Sequence, residues 1–398
     1  MTRVLGLFYS NPIEGKANSD LYTISEVMRQ FKIEHVFLCK LMPGNETNPK
    51  PTNFGCIFPT TRSFPLQIPF ILLRILRQAA VFRPNAIFSS SDVVLPFSYC
   101  VSKIFGLPII VYAREVTEEL ETRRDRPILN RALGWGGLWL RDKILPRCLV
   151  VECQTQILSA YLRQRNPDIR CEALPTGVDV EFFIGSDSVQ QENPKNALEV
   201  LYSGSMSNER PLSNLLGAFS ELVNCKKWNL RLLILGHGPT KADIVERARA
   251  LKIEKNIVVM PWLTRLQVAN VIRRVDICVE PYRREFPESY MTNLKVMEYM
   301  AASKVVVALA DRDRETILSN GRGILYYEDT QRSLKGALLK GIEMSAEERK
   351  IMGKRAFEEV SQNRNSRKSA ARLVRLILEA CRKKDGPEGV ENGLHAIV

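Results

Sequence analysis

Short apolar runs alternate with segments of helical periodicity along most of the chain. In the first half, aliphatic and β-branched runs predict strands, and the segments between them repeat apolar residues at the spacing of one helix face. The predicted strands are Val4–Tyr9, His35–Cys39, Ala86–Ser89, Pro108–Tyr112 and Leu149–Glu152. The predicted helices are Leu21–Phe31, Ile71–Phe82, Leu95–Phe105 and Ser159–Arg165, and the Pro-rich segment Met42–Pro69 is expected to be irregular.

The same alternation restarts after a polar stretch at Ser186–Asn196. Its predicted strands are Glu199–Ser203, Leu230–Leu235, Ile257–Met260, Ile277–Val279 and Lys304–Ala308. Its predicted helices are Leu212–Leu222, Thr240–Leu251, Thr264–Ile272 and one that starts near Leu294. Alternating strands and helices are typical of parallel sheets covered by helices on both faces. A length of 398 residues is sufficient for two domains. The pattern therefore predicts two doubly wound α/β domains.

The composition narrows the class of protein. No apolar run is long and charge-free enough to cross a bilayer, since the best candidate, Leu66–Phe82, contains Arg74 and Arg77. The first residues predict a strand and not a signal peptide. The nine cysteines lack CxxC spacing and the chain has three histidines. We therefore expect reduced thiols, no bound metal and a cytoplasmic location.

The net charge of +13 indicates either an anionic partner or a strongly solvated surface. Basic residues cluster in Arg123–Arg147, where Trp135 and Trp139 lie among them, and again in Arg364–Lys384. The first cluster is typical of an amphipathic helix, peripheral on an anionic membrane surface, and a solvated basic helix face explains it equally well. No DNA- or RNA-binding motif is present, so nucleic acid is not an expected partner.

The segment Asp276–Ala308 carries the clearest candidate chemistry. A polar loop leads from a strand into a capped helix, and the first turn of such a helix has unpaired N–H groups that bind anions. Glu298 lies about one and a half turns into that helix, where its carboxylate can accept hydrogen bonds from sugar hydroxyls. The combination suits a sugar nucleotide. The residues expected at its phosphate end are Thr292, Asn293, Leu294 and Lys295.

Glycine turns follow two strands of the second half. Gly204 ends the first of these strands, and Gly236 and Gly238 follow the run Leu-Leu-Ile-Leu. Glycine lets the backbone turn sharply and approach a ligand at the carboxyl ends of parallel strands, where doubly wound sheets bind nucleotides. We therefore expect these three glycines to lie beside a bound nucleotide.

These motifs resemble those of retaining GT-B glycosyltransferases, in particular family 4. The run from Lys295 to Ala301 matches that family's K-x-x-E-Y-M-A helix, and the run from Ala173 to Phe183 resembles the signature that ends its N-terminal domain. The resemblance implies that Glu298 holds the ribose hydroxyls of a nucleotide-sugar donor. It also implies a GT-B fold, with two Rossmann-like doubly wound domains that face a central cleft.

The resemblance further implies which residues act on the diphosphate and on the acceptor. Arg210 occupies the position of a cation that grips the donor diphosphate, and Arg114 with Glu115 occupies a position beside the acceptor and the reacting carbon. Ser205 stands where the family commonly has a second cation. The candidates to replace that cation are Lys295, Arg283 and Arg284.

The implied domain boundaries follow the motifs. An acceptor-binding domain covers residues 1–183, a linker 184–197, a donor-binding domain 198–363, a helix that crosses back to the first domain 364–383, and a flexible tail 384–398.

The resulting hypothesis is an enzyme, a retaining glycosyltransferase that moves a sugar from a nucleotide-sugar to a hydroxyl of a sugar or lipid-linked acceptor in glycan, glycolipid or cell-envelope polysaccharide synthesis. Cations and helix dipoles stabilise the departing diphosphate, so no metal or other cofactor is expected. The alternative is a GT-B-like partner subunit that no longer transfers sugar. Three departures from the family's pattern favour that alternative: Ser205, Tyr290 in place of a Glu, and Ser303 in place of a Gly. A nucleotide-sugar epimerase is less consistent with the K-x-x-E-Y-M-A helix.

Overall fold

The computed structural model describes residues 1–8, 19–40, 53–58, 64–90, 94–113, 128–185, 197–207, 212–261, 263–282, 294–310 and 323–385. The chain divides into two compact units. The first is Met1–Pro175 together with the segment that starts at Arg367, and the second is Thr176–Ser366. Val178, Val180 and Phe183 are buried among side chains of the second unit. The boundary thus falls before Val178, whereas the sequence-based division places the chain up to residue 183 in the first domain.

The first unit contains a seven-stranded parallel sheet. Its strands are β1 (Arg3–Phe8), β2 (Glu34–Lys40), β3 (Phe54–Phe58), β4 (Ala86–Ser90), β5 (Ile109–Ala113), β6 (Val150–Cys153) and β7 (Cys171–Ala173). Their order in the sheet is β3-β2-β1-β4-β5-β6-β7. Val4 of β1 pairs with His35 on one side and with Ala86 on the other. The order therefore reverses between β1 and β4, as in doubly wound folds.

Helices cover both faces of this sheet. They are α1 (Ser19–Gln30), α2 (Phe64–Phe82), α3 (Leu95–Phe105), α4 (Ile128–Ile144) and α5 (Gln156–Arg165). Leu5 and Leu7 of β1 belong to one buried cluster, which contains side chains of α2, α3, α4 and α5. Val4 and Phe8 belong to a second cluster, which contains side chains of α1 and of the last helix of the chain. The alternation along β1 places the two clusters on opposite faces.

The second unit repeats the arrangement with six parallel strands. They are β8 (Leu198–Ser203), β9 (Leu230–Leu235), β10 (Ile257–Met260), β11 (Ile277–Glu280), β12 (Val305–Leu309) and β13 (Ile324–Tyr327). The strand order is β10-β9-β8-β11-β12-β13, so the reversal falls between β8 and β11. The helices are α6 (Val180–Ile184), α7 (Leu212–Asn224), α8 (Lys241–Ala250), α9 (Arg265–Arg274), α10 (Leu294–Ala301), α11 (Gln331–Glu343) and α12 (Ala346–Asn363).

The last helix, α13 (Ser366–Asp385), packs with the first unit. Leu373, Val374 and Ile377 are buried in the same cluster as Met28 of α1. Within the described residues, no helix combines the length and the apolarity that crossing a bilayer requires.

Most of the predicted elements are confirmed, and the prediction of two doubly wound parallel sheets holds. Helix Leu95–Phe105 and strand Leu230–Leu235 have the predicted bounds. Thr264, the first residue of the predicted helix Thr264–Ile272, caps α9 with a capping box.

The segment Met42–Pro69 is less irregular than predicted. It contains β3, and α2 begins at Phe64 with Pro69 inside it. Pro65 falls in the first helical turn, where a missing N–H costs nothing because that group has no helical partner. The prediction of an irregular segment was therefore wrong for β3 and for the start of α2.

Candidate active site

The described members of the predicted donor site lie at the carboxyl end of the second sheet. β8 ends at Ser203 and is followed by Gly204, β9 ends at Leu235 and is followed by Gly236, and β11 lies on the other side of β8. The strand order reverses between β8 and β11, and doubly wound sheets bind ligands in the crevice that such a reversal creates.

The three predicted glycines are brought together in two turns that touch. The Gly204 N–H donates to the Leu235 carbonyl at 2.8 Å. Gly236 has φ +145°, and a Cβ on it would clash with the Gly204 carbonyl oxygen. A Cβ on Gly238 would clash with the carbonyl oxygen of Met206. Close backbone approach therefore requires glycine at these two positions.

Tyr299 joins α10 to the end of β8. Its phenolic oxygen accepts a hydrogen bond from the Ser203 N–H at 3.0 Å and donates to the Ser203 carbonyl at 3.4 Å. Burial raises the pKa of Tyr299 well above its usual value, and the nearby charge of Glu280 raises it further. The neutral phenol therefore fixes the position of α10 against the β8 turn.

Lys295 lies on the Gly204 turn. A Cβ added to Gly204 would clash with the Lys295 ammonium, and that ammonium is 5.6 Å from the centroid of the Tyr202 ring. The Tyr202 hydroxyl donates to the carbonyl of Ser205 at 2.6 Å. The structure thus places the Lys295 cation against the Gly204 turn, which precedes Ser205 in the sequence.

Glu298 is half-buried and lies one turn after Lys295 on α10. Residues three apart on a helix share a face. The opposite face is occupied by Val296, Met297 and Met300, which are buried in the core. Leu294, the first residue of α10, is also half-buried. The accessible side of α10 therefore carries a cation and a carboxylate one turn apart.

Glu280 was not among the site residues predicted from the sequence. The predicted strand ended at Val279, but β11 continues through Glu280, whose side chain is fully buried. A buried carboxylate at the carboxyl end of a strand, at the point where the sheet order reverses, is a candidate site residue. The signal in the sequence was a charged residue placed directly after the apolar run Ile277–Val279.

Several predicted site residues lie outside the described residues, so the roles expected for them remain predictions. These are Arg210, Arg114, Glu115, Thr292 and Asn293, together with Arg283, Arg284 and Tyr290. β5 ends at Ala113, so Arg114 directly follows the carboxyl end of that strand in the sequence. In the described segments, no group of three or more His, Cys, Asp or Glu side chains is arranged to hold a metal ion.

Part of the second unit matches a known protein family. Residues 197–343 match the family model of the Glycosyl transferases group 1. The alpha-monoglucosyldiacylglycerol synthase of Streptococcus pneumoniae is 22% identical over 203 residues, which are 48% of this chain. That alignment spans 44% of the length of the synthase.

Solved structures match nearly the whole chain. Sucrose-phosphate synthase from Thermosynechococcus elongatus superposes with a TM-score of 0.72 at 15% identity, covering 95% of this chain and 98% of that one. HepE from Anabaena, solved with UDP and glucose, gives a TM-score of 0.71 at 13% identity, covering 95% and 100%. The chain therefore has the GT-B fold, and residues 197–343 of its second unit match the group 1 family model.

Proposed function

We propose that this protein is a retaining glycosyltransferase that moves a sugar from a nucleotide-sugar donor to a hydroxyl of a glycan or lipid-linked acceptor. The observation that carries the proposal is the pair Lys295 and Glu298, one turn apart on α10. Lys295 lies against the Gly204 turn at the carboxyl end of β8. A cation and a carboxylate at this point suit a diphosphate that is joined to a ribose.

In the proposed complex, the donor occupies the crevice beside β8 and β11. Glu298 accepts hydrogen bonds from the ribose hydroxyls, and Lys295 with the first N–H groups of α10 binds the diphosphate. The turns at Gly204 and Gly236 leave room for the nucleotide because they carry no side chains. HepE, a structure of the same fold, was solved with UDP and glucose, which supports a nucleotide-sugar as the donor.

The proposed chemistry stabilises the leaving group. The bond between the anomeric carbon and the diphosphate breaks, and the acceptor oxygen bonds to the same face of that carbon, so the configuration is retained. The acceptor proton passes to the departing diphosphate. Arg210 and Lys295 supply positive charge where the negative charge develops, so the proposal requires no metal ion.

The acceptor side of the proposal rests on the first unit. Arg114 and Glu115 follow the carboxyl end of β5 and are proposed to lie beside the acceptor hydroxyl. A lipid-linked acceptor is favoured over a small soluble one, because a relative of this chain is named as a synthase of alpha-monoglucosyldiacylglycerol. The proposed setting is glycolipid or cell-envelope polysaccharide synthesis.

Turnover assays of charge-removing variants test this proposal. We expect Arg210→Ala to lower kcat by about a hundredfold or more, and Lys295→Ala by about tenfold or more, because each removes a preorganised charge from the leaving group. Lys295→Arg should retain more activity than Lys295→Ala. Lys340→Ala, a change at an exposed position on α11, is the matched control and should leave kcat unchanged.

The same assay tests whether the reaction needs a metal ion and whether the protein is instead a partner subunit without activity. Activity in excess EDTA should equal activity without it, and strict dependence on Mg²⁺ or Mn²⁺ would contradict the proposed chemistry. A wild-type protein that binds nucleotide-sugars but transfers no sugar to any glycan or lipid acceptor would instead indicate a GT-B-like partner subunit.

A further inference from the structure

Exposed apolar side chains concentrate on one helix layer of the first unit. α2, α3 and α4 pack on the same face of the first sheet, since their inward residues belong to a single buried cluster. α3 contacts both α2 and α4, so the three helices are neighbours. Of the fourteen large apolar side chains that are exposed among the described residues, nine belong to these three helices. They are Ile68, Phe70, Leu73, Val81, Ile104, Phe105, Trp135, Trp139 and Leu140.

The larger of these nine apolar side chains are highly exposed to solvent. Phe70 is 69% exposed, Leu73 66%, Trp139 64% and Trp135 61%. Trp135 and Trp139 are four residues apart on α4, and Phe70 and Leu73 are three apart on α2, so each pair lies on one side of its helix. Apolar surface gathered in this way marks an interaction site, because scattered single residues are the usual case on a protein surface.

Positive charge surrounds this apolar surface. α2 and α3 contain Arg74, Arg77 and Lys103 and have no acidic residue. The one acidic residue of α4, Asp142, is held by Arg165 at 2.6 Å and by Arg141 at 2.9 Å. The exposed cations on and directly after the three helices are Arg74, Arg77, Arg83, Lys103, Lys143 and Arg147. We call this surface, with its exposed apolar side chains, the α2–α4 face.

We propose that the α2–α4 face docks on an anionic lipid bilayer. Indole rings and long basic side chains have an apolar body and a polar end, and both settle at the boundary between acyl chains and headgroups. Each surface cation adds about 1 kcal/mol of attraction to an anionic membrane. Charge argues against a second copy of this chain as the occupant, since like charges would face each other.

The structure shows that the basic helix predicted from the sequence is one part of a larger exposed surface. The sequence indicated a single amphipathic helix within Arg123–Arg147, and left a solvated face as an equal alternative. The structure adds α2 and α3 beside α4, and their residues Phe70, Leu73 and Ile104 are exposed. A face that spans three helices buries more apolar area in a membrane than one helix does.

Co-sedimentation of the full chain with vesicles tests the proposal. We compare phosphatidylcholine vesicles with vesicles that contain about one third phosphatidylglycerol, at low and at high salt. We expect binding to the anionic vesicles at low salt, and at least tenfold weaker binding at high salt or to neutral vesicles, because the cations are screened or lack a partner.

Two double variants locate the surface. Trp135→Ser with Trp139→Ser, and Arg74→Glu with Arg77→Glu, should each weaken binding to anionic vesicles at least tenfold. The matched controls in the second unit are Val258→Ser with Leu266→Ser, and Lys255→Glu with Lys350→Glu, all at exposed positions. Unchanged thermal melting would show that the variants fold, because these side chains are not part of the core.

Three results would overturn the proposal. The first is recovery of the wild-type protein in the supernatant under all four conditions. The second is an equal loss of binding in the controls. The third is concentration-dependent self-association in solution that the Trp double variant abolishes, which would assign the α2–α4 face to a second copy of this chain. Nucleotide-sugar binding is measured without vesicles, so its outcome is independent of this one.

Discussion

At the scale of single residues, we expect a buried histidine, His35, to make the stability of the first unit depend on pH. The His35 Nδ1–H donates to the Ile33 carbonyl at 3.1 Å, so Nε2 is the acceptor nitrogen of a neutral ring. Nε2 lies 2.7 Å from the Ser25 hydroxyl and also faces the amide nitrogen of Asn53. Burial lowers the pKa of His35 from its ordinary value of 6.5, and the charge of Arg29 lowers it further, against the hydrogen bond to Ile33.

We therefore expect the free energy of unfolding to decrease as the pH falls below about 6.5. The unfolded chain binds a proton at His35 in that range while the folded chain does not, so protonation favours unfolding. Urea denaturation at pH 7.5 and pH 5.5 measures the loss. The variant His35→Gln keeps a hydrogen-bonding side chain without a titrating ring, and its loss over the same interval should be smaller. An equal loss in both proteins would show that His35 is not the group involved.

Some residues of the candidate site could be predicted from the sequence and others could not. Glu298 was predicted because its helix has a recognisable motif. Lys295 was one of three candidates for the second cation, and the structure brings it to Gly204 through folding contacts between residues far apart in the sequence. Glu280 was missed because a short apolar run does not show where its strand ends. Burial of a charged side chain depends on neighbours that no local pattern specifies.

At the scale of elements, the end of α10 has the geometry of a Schellman motif. The Lys304 N–H donates to the Tyr299 carbonyl at 3.1 Å, and the Ser303 N–H donates to the Met300 carbonyl at 2.9 Å. Ser303 has φ +57°, the left-handed conformation that this motif requires and that glycine adopts most readily. Ser303 departs from a glycine of the family's pattern, and its left-handed conformation is the physical reason for a glycine there.

The change Ser303→Gly should therefore stabilise the protein by about 1 kcal/mol, since it removes the clash of a Cβ in the left-handed conformation. The midpoint of thermal or urea unfolding measures the gain. Ser303→Ala is the control, because alanine keeps the Cβ and should give no such gain. Ser303 is exposed, so lost packing does not complicate the comparison, and equal stability of all three proteins would contradict this account of the turn.

The strands that the sequence did not predict are edge strands. β3, β7 and β13 were not predicted, and each lies at the edge of its sheet. They have five, three and four residues. Such short runs resemble loops, because pairing with a neighbouring strand stabilises them more than their own propensity does. The central strands were predicted because burial on both faces makes them continuously apolar.

At the scale of the whole molecule, the two units have separate cores and separate proposed roles. The second unit contains every described residue of the proposed donor site, and residues 197–343 of it match the group 1 model. The first unit contains the proposed acceptor residues and the α2–α4 face. The alternation of strands and helices was sufficient to predict two doubly wound sheets. The substrates could not be predicted, since loop shapes that determine them are not encoded in a motif.

Donor affinity tests the central claim most directly, and a thermal-shift screen over UDP-, GDP- and ADP-sugars selects the donor, because a ligand of the folded state raises the Tm. Titration calorimetry then compares the wild type with Glu298→Gln and with Glu347→Gln, a control at an exposed position on α12. We expect Glu298→Gln to weaken binding by about 1–3 kcal/mol, the cost of losing a charged acceptor for the ribose hydroxyls, and Glu347→Gln to bind like the wild type. An unchanged Kd for Glu298→Gln would contradict the assignment of this site to a nucleotide-sugar.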